Sequence, residues 1–428
     1  MEKIKVAYIG DSPYIFSGFG VVSKAILSRL DPEEFDVSVL GTMFQLMPKD
    51  LDQIPALTYY HPVCIHDLMG FKTSIDYIQH VDPDVLFFIG DPGTLRNRYS
   101  VLTGSGMIVR VPAVSYFPLE GAPFSPHIIE QTKMVYGPVT YTKWGADYLR
   151  ELDSSAEADW VWHGTDHFPA KVYDPATRKK LRQLVGWDDR FVVGLVGMNK
   201  RTNRQPVMIE VAKMLKESGR DDAMIYLHCQ QQGEIMMGGW ELDWMIDAYG
   251  VRDQVQLKPV QKEHKYIARP RTGTLEEVLE RPLPGSKEEA EENLGMLDFV
   301  SLLNCFDLYV DPASAHGFNL PAVEAAVCGV PVAMVDDGFA RTEIYGQCAY
   351  MMKPTAADYW HTGAILPLVS PKRIADTIVE FWDSEELRVG TAYNCWNFFK
   401  DVTWQTAADL FAQKIREAHE FGQEILGK

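Results

Sequence analysis

The chain has 428 residues, with 41 Lys and Arg against 59 Asp and Glu, giving a formal net charge of −18. Its 46% hydrophobic and 23% charged residues are those of an ordinary globular protein, long enough for two or three domains with separate cores. The excess of acid argues against a broad nonspecific footprint on nucleic acid or an anionic membrane, but not against one small phosphate-bearing ligand met by local charge.

Met1 to Lys5 leads directly into the apolar run Val6-Ala7-Tyr8-Ile9-Gly10, which predicts a strand buried on both faces. No signal-peptide core precedes it, and no apolar run reaches the roughly 18 residues of a membrane span. A cytoplasmic chain without a transmembrane segment is expected. The six cysteines are scattered without metal-ligand spacing, as inert thiols in a reducing compartment are. A Ser/Pro/Gly-rich loop follows to Gly20. Val21 to Leu30 has helical spacing and Pro32 stops it. Strands are predicted at 37–40, 85–89, 111–116 and 139–141, with a helix ending at 75–80. This alternation implies a parallel, doubly wound sheet.

The pattern restarts at Phe191 to Gly197, followed by a Lys/Arg-rich loop, a helix at 207–215 and strands at 224–227, 255–257, 308–310 and 332–335. Turn signals between 156 and 188 place a domain junction there. Residues 261–295, with Arg269-Pro270-Arg271, Pro284-Gly285 and the acidic run Glu288 to Glu292, read as a surface insertion. Asp82-Pro83-Asp84 precedes a buried strand and reads as a turn. Trp240, Trp244 and Tyr249 read as packing residues, and Gln230 to Gly233 as a polar turn or part of a base pocket.

The most specific segment is Ser314-Ala315-His316-Gly317-Phe318-Asn319-Leu320-Pro321-Ala322-Val323-Glu324-Ala325-Ala326-Val327-Cys328-Gly329-Val330-Pro331-Val332. A strand precedes it and a helix is predicted to start near Leu320. Small residues at such a start let backbone N–H groups approach a phosphate, and the helix dipole favours an anion. Glu324, a turn further on, is placed to accept two hydrogen bonds from a ribose diol. The segment resembles the signature of GT-B glycosyltransferases, specifically family 4. Gly18-Phe19-Gly20 resembles that family's N-terminal glycine loop. Trp162-His163-Gly164-Thr165-Asp166 resembles its junction element, with His163 in a structural role. Val196 to Pro206 resembles its diphosphate loop, Arg341-Thr342-Glu343-Ile344 its glutamate-bearing loop, and Thr403-Trp404 the start of its terminal helix.

The resemblance implies two Rossmann-like doubly wound domains facing across a cleft. The first, 1–165 with the terminal helix 404–428, would take the acceptor. The second, 166–403 with the 261–295 insertion, would take the donor. It implies transfer of a hexosyl or pentosyl group from a nucleoside-diphosphate sugar to a hydroxyl acceptor, with retention, the leaving diphosphate assisting deprotonation, and no metal. Donor-binding residues would be Gly18, Gly20, Lys200, Arg201, Arg204, Gly317, Asn319, Leu320 and Glu324. Catalytic residues would be Glu120, Arg201 and His316, with Asp91 a weaker acceptor contact. His316 stands where the family has Glu, and Met198 and Asn203 where it has Arg and Lys. Two alternatives stay open: a degenerate module that binds the nucleotide sugar without turnover, and a transferase acting on a hydroxymethylated DNA base. Acceptor class, donor base and sugar, and oligomeric state are not legible in the chain.

Overall fold

A computed structural model describes residues 2–426 apart from Phe16, 45–47, 49–50, 108–109, 127–129, 131–134, 231–238, 259–272 and His361. Gln231 to Gly233 and Arg269-Pro270-Arg271 lie outside the described residues. The chain forms two compact units. The first comprises Met1–His167, Trp360–Ala364 and Thr403–Lys428, and the second Phe168–Tyr359 and Ile365–Val402.

The first unit is built on seven strands: β1 (Ile4–Asp11), β2 (Phe35–Thr42), β3 (Leu57–Pro62), β4 (Val85–Ile89), β5 (Ala113–Phe117), β6 (Gly137–Thr140) and β7 (Asp159–Trp160). They lie in the order β3-β2-β1-β4-β5-β6-β7, every pair parallel. Val6 to Ile9 and Val85 to Phe88 are fully buried, as strands covered by helices on both faces must be. The order reverses between β1 and β4. At such a switch point the connecting loops part and leave a crevice at the carboxyl ends of the strands.

The terminal helix Trp404–Leu426 packs on helix Gly18–Leu27 and on β1, β4 and β5. The junction element holds its start. A Cβ on Gly164 would stand 2.0 Å from the Trp404 nitrogen, so only glycine fits. Asp166 accepts a hydrogen bond from the Trp404 N–H at 2.7 Å and pairs with Arg29 at 2.8 Å. His163 is buried among Tyr116, Tyr141 and Trp404, its ring 5.0 Å from that of Trp404. Burial holds its imidazole well below the usual titration range.

The second unit repeats the plan with β8 (Phe191–Val196), β9 (Ala223–His228), β10 (Val255–Leu257), β11 (Leu308–Asp311), β12 (Val332–Val335) and β13 (Tyr350–Met352). Their order is β10-β9-β8-β11-β12-β13, again all parallel. Its switch point falls between β8 and β11. A two-stranded antiparallel hairpin, β14 (Ala356–Tyr359) and β15 (Ile365–Leu368), stands apart from the sheet. The described part of the insertion forms helices Leu275–Leu279 and Lys287–Met296. They pack on helix Pro175–Leu184, where Asn293 donates to the Leu184 carbonyl at 2.9 Å. Glu288, Glu289 and Glu292 face solvent.

Five cysteines are buried and Cys64 is exposed. The packing expected of Trp240 and Trp244 does not hold, since they are 39% and 69% exposed. No helix among the described residues is long and apolar enough to cross a membrane.

Candidate functional site

The carboxyl ends of β8 and β11 bring two loops together in the second unit. The loop 197–204 leaves β8, and the loop 312–319 leaves β11. Ser314 N–H donates to the Thr202 carbonyl at 2.8 Å, which fastens one loop to the other. Within the first loop, Asn203 and Gln205 amides both donate to the Met198 carbonyl, at 2.8 and 2.6 Å. Asn199 is buried, donating to the Gln230 and Trp240 carbonyls at 3.1 and 2.7 Å. The Gln230 side chain accepts the Asn199 N–H at 3.1 Å, so this residue of the polar turn braces the loop.

The three basic residues of this loop have different surroundings. Arg204 adopts a left-handed backbone (φ 54°), and its guanidinium donates to the Pro312 and Val369 carbonyls at 3.2 and 3.1 Å. It ties β11 to the segment after β15, which is a structural task. Arg201 is largely exposed and pairs with Asp358 of β14 at 3.1 Å. Lys200 is half-buried and lies close enough to His316 to disfavour its protonation. Of the three expected donor contacts, Arg204 is the one whose guanidinium is held by backbone carbonyls.

The second loop ends in helix Leu320–Val327. Asn319 caps it at φ 70° and ψ 70°, a conformation that glycine and asparagine tolerate best. Its amide nitrogen donates to Asp311 at 2.7 Å and its amide oxygen accepts the Ala322 N–H at 3.3 Å. The Asn319 side chain and carbonyl are thus both used inside the fold, the carbonyl accepting from the Tyr345 hydroxyl at 2.9 Å. Gly317 and Leu320 are buried at the same end, and Glu324 is half-buried one turn on.

Beneath the loop lies a charged network that sequence reasoning missed. Asp311, Asp337 and Arg341 are 1%, 5% and 0% exposed. Arg341 pairs with Asp337 at 3.0 Å and donates to the Ala313 and Ser314 carbonyls at 2.5 and 3.2 Å. The signal available was an Asp ending an apolar strand, and an Arg four residues after Asp337 in the first turn of helix Ala340–Tyr345. His316 Nε2 stands 3.7 Å from Asp311 Oδ2, beyond hydrogen-bond reach. Burial, with Lys200 and Arg341 nearby, outweighs the Asp311 charge and pushes the imidazole down to about 4. At neutral pH His316 is an uncharged hydrogen-bonding group, not a cation.

In the first unit, Gly18 and Gly20 are the first and third residues of helix Gly18–Leu27. A Cβ on Gly20 would lie 2.4 Å from the Ile15 carbonyl oxygen, so the residue serves the close approach of loop to helix. Asp91 caps helix Pro92–Gly104, accepting from the Thr94 N–H and hydroxyl at 3.0 and 2.6 Å. That gives it a local structural role. Glu120 follows β5 at the same carboxyl edge and is half-buried.

No family model matches the sequence, and no curated protein matches it. Solved structures do. HepE of Anabaena, crystallised in complex with UDP-glucose, has 14% identity and a TM-score of 0.65 over 97% of this chain and 100% of that one. A sucrose-phosphate synthase of Thermosynechococcus elongatus has 11% identity and a TM-score of 0.66 over 97% and 99%. WaaG, a glycosyltransferase of lipopolysaccharide biosynthesis, has 14% identity and a TM-score of 0.60 over 95% and 99%. Their likeness extends over nearly the whole of each chain, and this protein has the two-unit α/β fold of the GT-B glycosyltransferases.

Proposed function

We propose that the protein is a glycosyltransferase that binds a nucleoside-diphosphate sugar on its second unit and transfers the sugar to a hydroxyl acceptor. The observation that carries this reading is the junction of the 197–204 and 312–319 loops at the switch point of the second sheet. A half-buried lysine, a neutral histidine and the start of helix Leu320–Val327 meet there. The UDP and UDP-glucose complexes of HepE, on a shared fold, support a uridine nucleotide as donor.

In this reading the helix start and Lys200 hold the diphosphate, with Arg201 joining once it leaves Asp358. Glu324 accepts from the ribose hydroxyls. His316 exchanges hydrogen bonds with a hydroxyl of the transferred sugar, a task an uncharged imidazole performs in either direction. As the bond from the anomeric carbon to the diphosphate oxygen breaks, negative charge grows on the diphosphate. The helix start and the basic loop, fixed beforehand by the Ser314 to Thr202 bond, stabilise that charge without reorganising. Retention of configuration, with the leaving diphosphate taking the acceptor proton, and independence from metal belong to this proposal. So does a cytoplasmic setting.

The test is release of nucleoside diphosphate from a panel of nucleotide sugars, with and without candidate acceptors, with and without chelator. Release that depends on acceptor is expected. Binding without release under any condition would leave only the module that holds a nucleotide sugar.

A further inference from the structure

The first sheet carries a second hollow, at the end away from the crevice. A cavity of about 230 Å³ opens at the amino ends of β1, β2 and β3, beside the last turn of helix Thr73–Val81. Lys5, Asp36, Ser38, Thr58, Tyr59 and His80 line it. The register brings them together. Lys5 lies opposite Asp36 across β1 and β2, and Ser38 opposite Tyr59 across β2 and β3, so these four side chains share one face of the sheet. Asp11, at the carboxyl end of β1, comes six residues after Lys5, which sets the hollow about 20 Å from the crevice.

The lining offers hydrogen-bonding groups of both kinds beside an aromatic wall. Asp36 accepts the Thr58 hydroxyl, one of the roughly four acceptor positions of a carboxylate. The Lys5 ammonium has no ion pair among the described residues, Asp36 included. Tyr59 is held from several sides. Its hydroxyl meets His61 Nδ1 at 3.2 Å, its ring lies 6.3 Å from that of Tyr77 at 15°, and the His80 ring leans on it at 5.4 Å. A wall fixed in this way has little freedom left to lose when a ligand arrives.

We propose that this hollow is a saccharide-binding site, which holds one uncharged sugar ring against Tyr59, with hydroxyls donating to Asp36 and accepting from Lys5. The class follows from size and charge. The volume is below the roughly 300–1,000 Å³ of sites for drug-sized ligands, which suits a single ring. One ammonium set against one carboxylate favours a ligand without net charge. Each sugar hydroxyl both donates and accepts, so one ring serves both groups, and its C–H face packs on the tyrosine. The distance from the crevice means that a ring bound here is anchored and not turned over. The inference goes beyond the transferase reading and does not depend on it.

The experiment is calorimetric titration of the full chain with methyl α-glucoside, methyl α-galactoside and maltose, with and without saturating UDP. Glycine and glucose 6-phosphate serve as charged comparators. At least one neutral saccharide is expected to bind saturably, more tightly than either comparator, and equally with and without UDP. Asp36→Asn and Lys5→Met should each weaken that binding about tenfold or more, the loss of a hydrogen bond to a charged group, with UDP affinity unchanged. Tyr59→Ala should do the same. Should it fail to fold, Asp36→Asn and Lys5→Met, at half-buried positions, keep the test. Absence of saturable binding by all three saccharides, tighter binding of glycine or glucose 6-phosphate, competition by UDP, or undiminished binding in the folded Asp36→Asn and Lys5→Met variants would overturn the proposal. Failure of the wild type to bind UDP or any nucleotide sugar would instead overturn the donor reading and leave this site standing.

Discussion

The two sheets share one plan and differ in what they place at their carboxyl ends. Both run their strands in the order third, second, first, fourth, fifth, sixth, and both end a central strand in an aspartate, Asp11 half-buried in β1 and Asp311 buried in β11. Around Asp311 the partners are Asn319, His316 and Arg341, with basic residues of the neighbouring loop above. Around Asp11 they are the Ser17 and Thr42 hydroxyls, with Asp91 and Glu120 along the same edge. A common scaffold thus carries one end lined by Lys200, Arg201 and a helix start and one end lined by carboxylates. The fold supplies the crevice, and the residues after each strand decide what enters it.

That comparison can be broken at several points. The largest effect is expected from Arg341→Met. It leaves Asp337 and Asp311 buried without their cation, and breaking such a pair costs about 3–5 kcal/mol. Urea unfolding of the second unit should show it, and a loss below about 1 kcal/mol would mean that the network is not what holds the 312–319 loop.

Acid should weaken both units, the second more. His228 and His316 are pushed down to about 3 and about 4, and His163 in the first unit is held low by burial. Each is neutral when folded and titrates near 6.5 when unfolded, so the unfolded chain takes up more protons below that value. Stability is full above about pH 6.5 and falls as pH drops toward 4. Unfolding at pH 5 should therefore bind up to about three protons, two of them lost in a His228→Gln, His316→Gln double variant.

Gly164→Ala should cost about 1–3 kcal/mol by forcing the Trp404 backbone away, read as lower thermal stability and faster proteolysis of the terminal helix. The smallest effect belongs to Asp358→Asn. Its pair with Arg201 is exposed, and such pairs contribute about 0.2–1 kcal/mol. Freeing Arg201 should tighten UDP binding about twofold.

Much of the strand plan was legible because buried parallel strands are uninterrupted apolar runs. The strands β10 and β12 fall where periodicity places them, at Val255–Leu257 and Val332–Val335. The strand β3 was not legible: Leu57–Pro62 lies at the sheet edge, and most of its side chains are only partly buried. The hairpin of β14 and β15 is short and mostly exposed on its first strand, and so leaves no apolar run either. The 312–319 loop was legible as small residues before a helix, but the contacts within it were not. Arg204 and Asn319 read as ligand contacts, and the fold adds that their side chains also hold neighbouring backbone and Asp311. Asp311 and Arg341 stand 30 residues apart in sequence, and only the fold shows that they neutralise each other.

The central claim is that the second unit, through the 197–204 and 312–319 loops, receives the nucleoside diphosphate. Calorimetric titration of UDP into the full chain and into Lys200→Ala and Asp11→Asn tests it most directly. The account predicts about tenfold or greater weakening for Lys200→Ala, the loss of a charge-assisted contact to phosphate, and no change for Asp11→Asn. Equal loss in both variants, or none in Lys200→Ala, would contradict it.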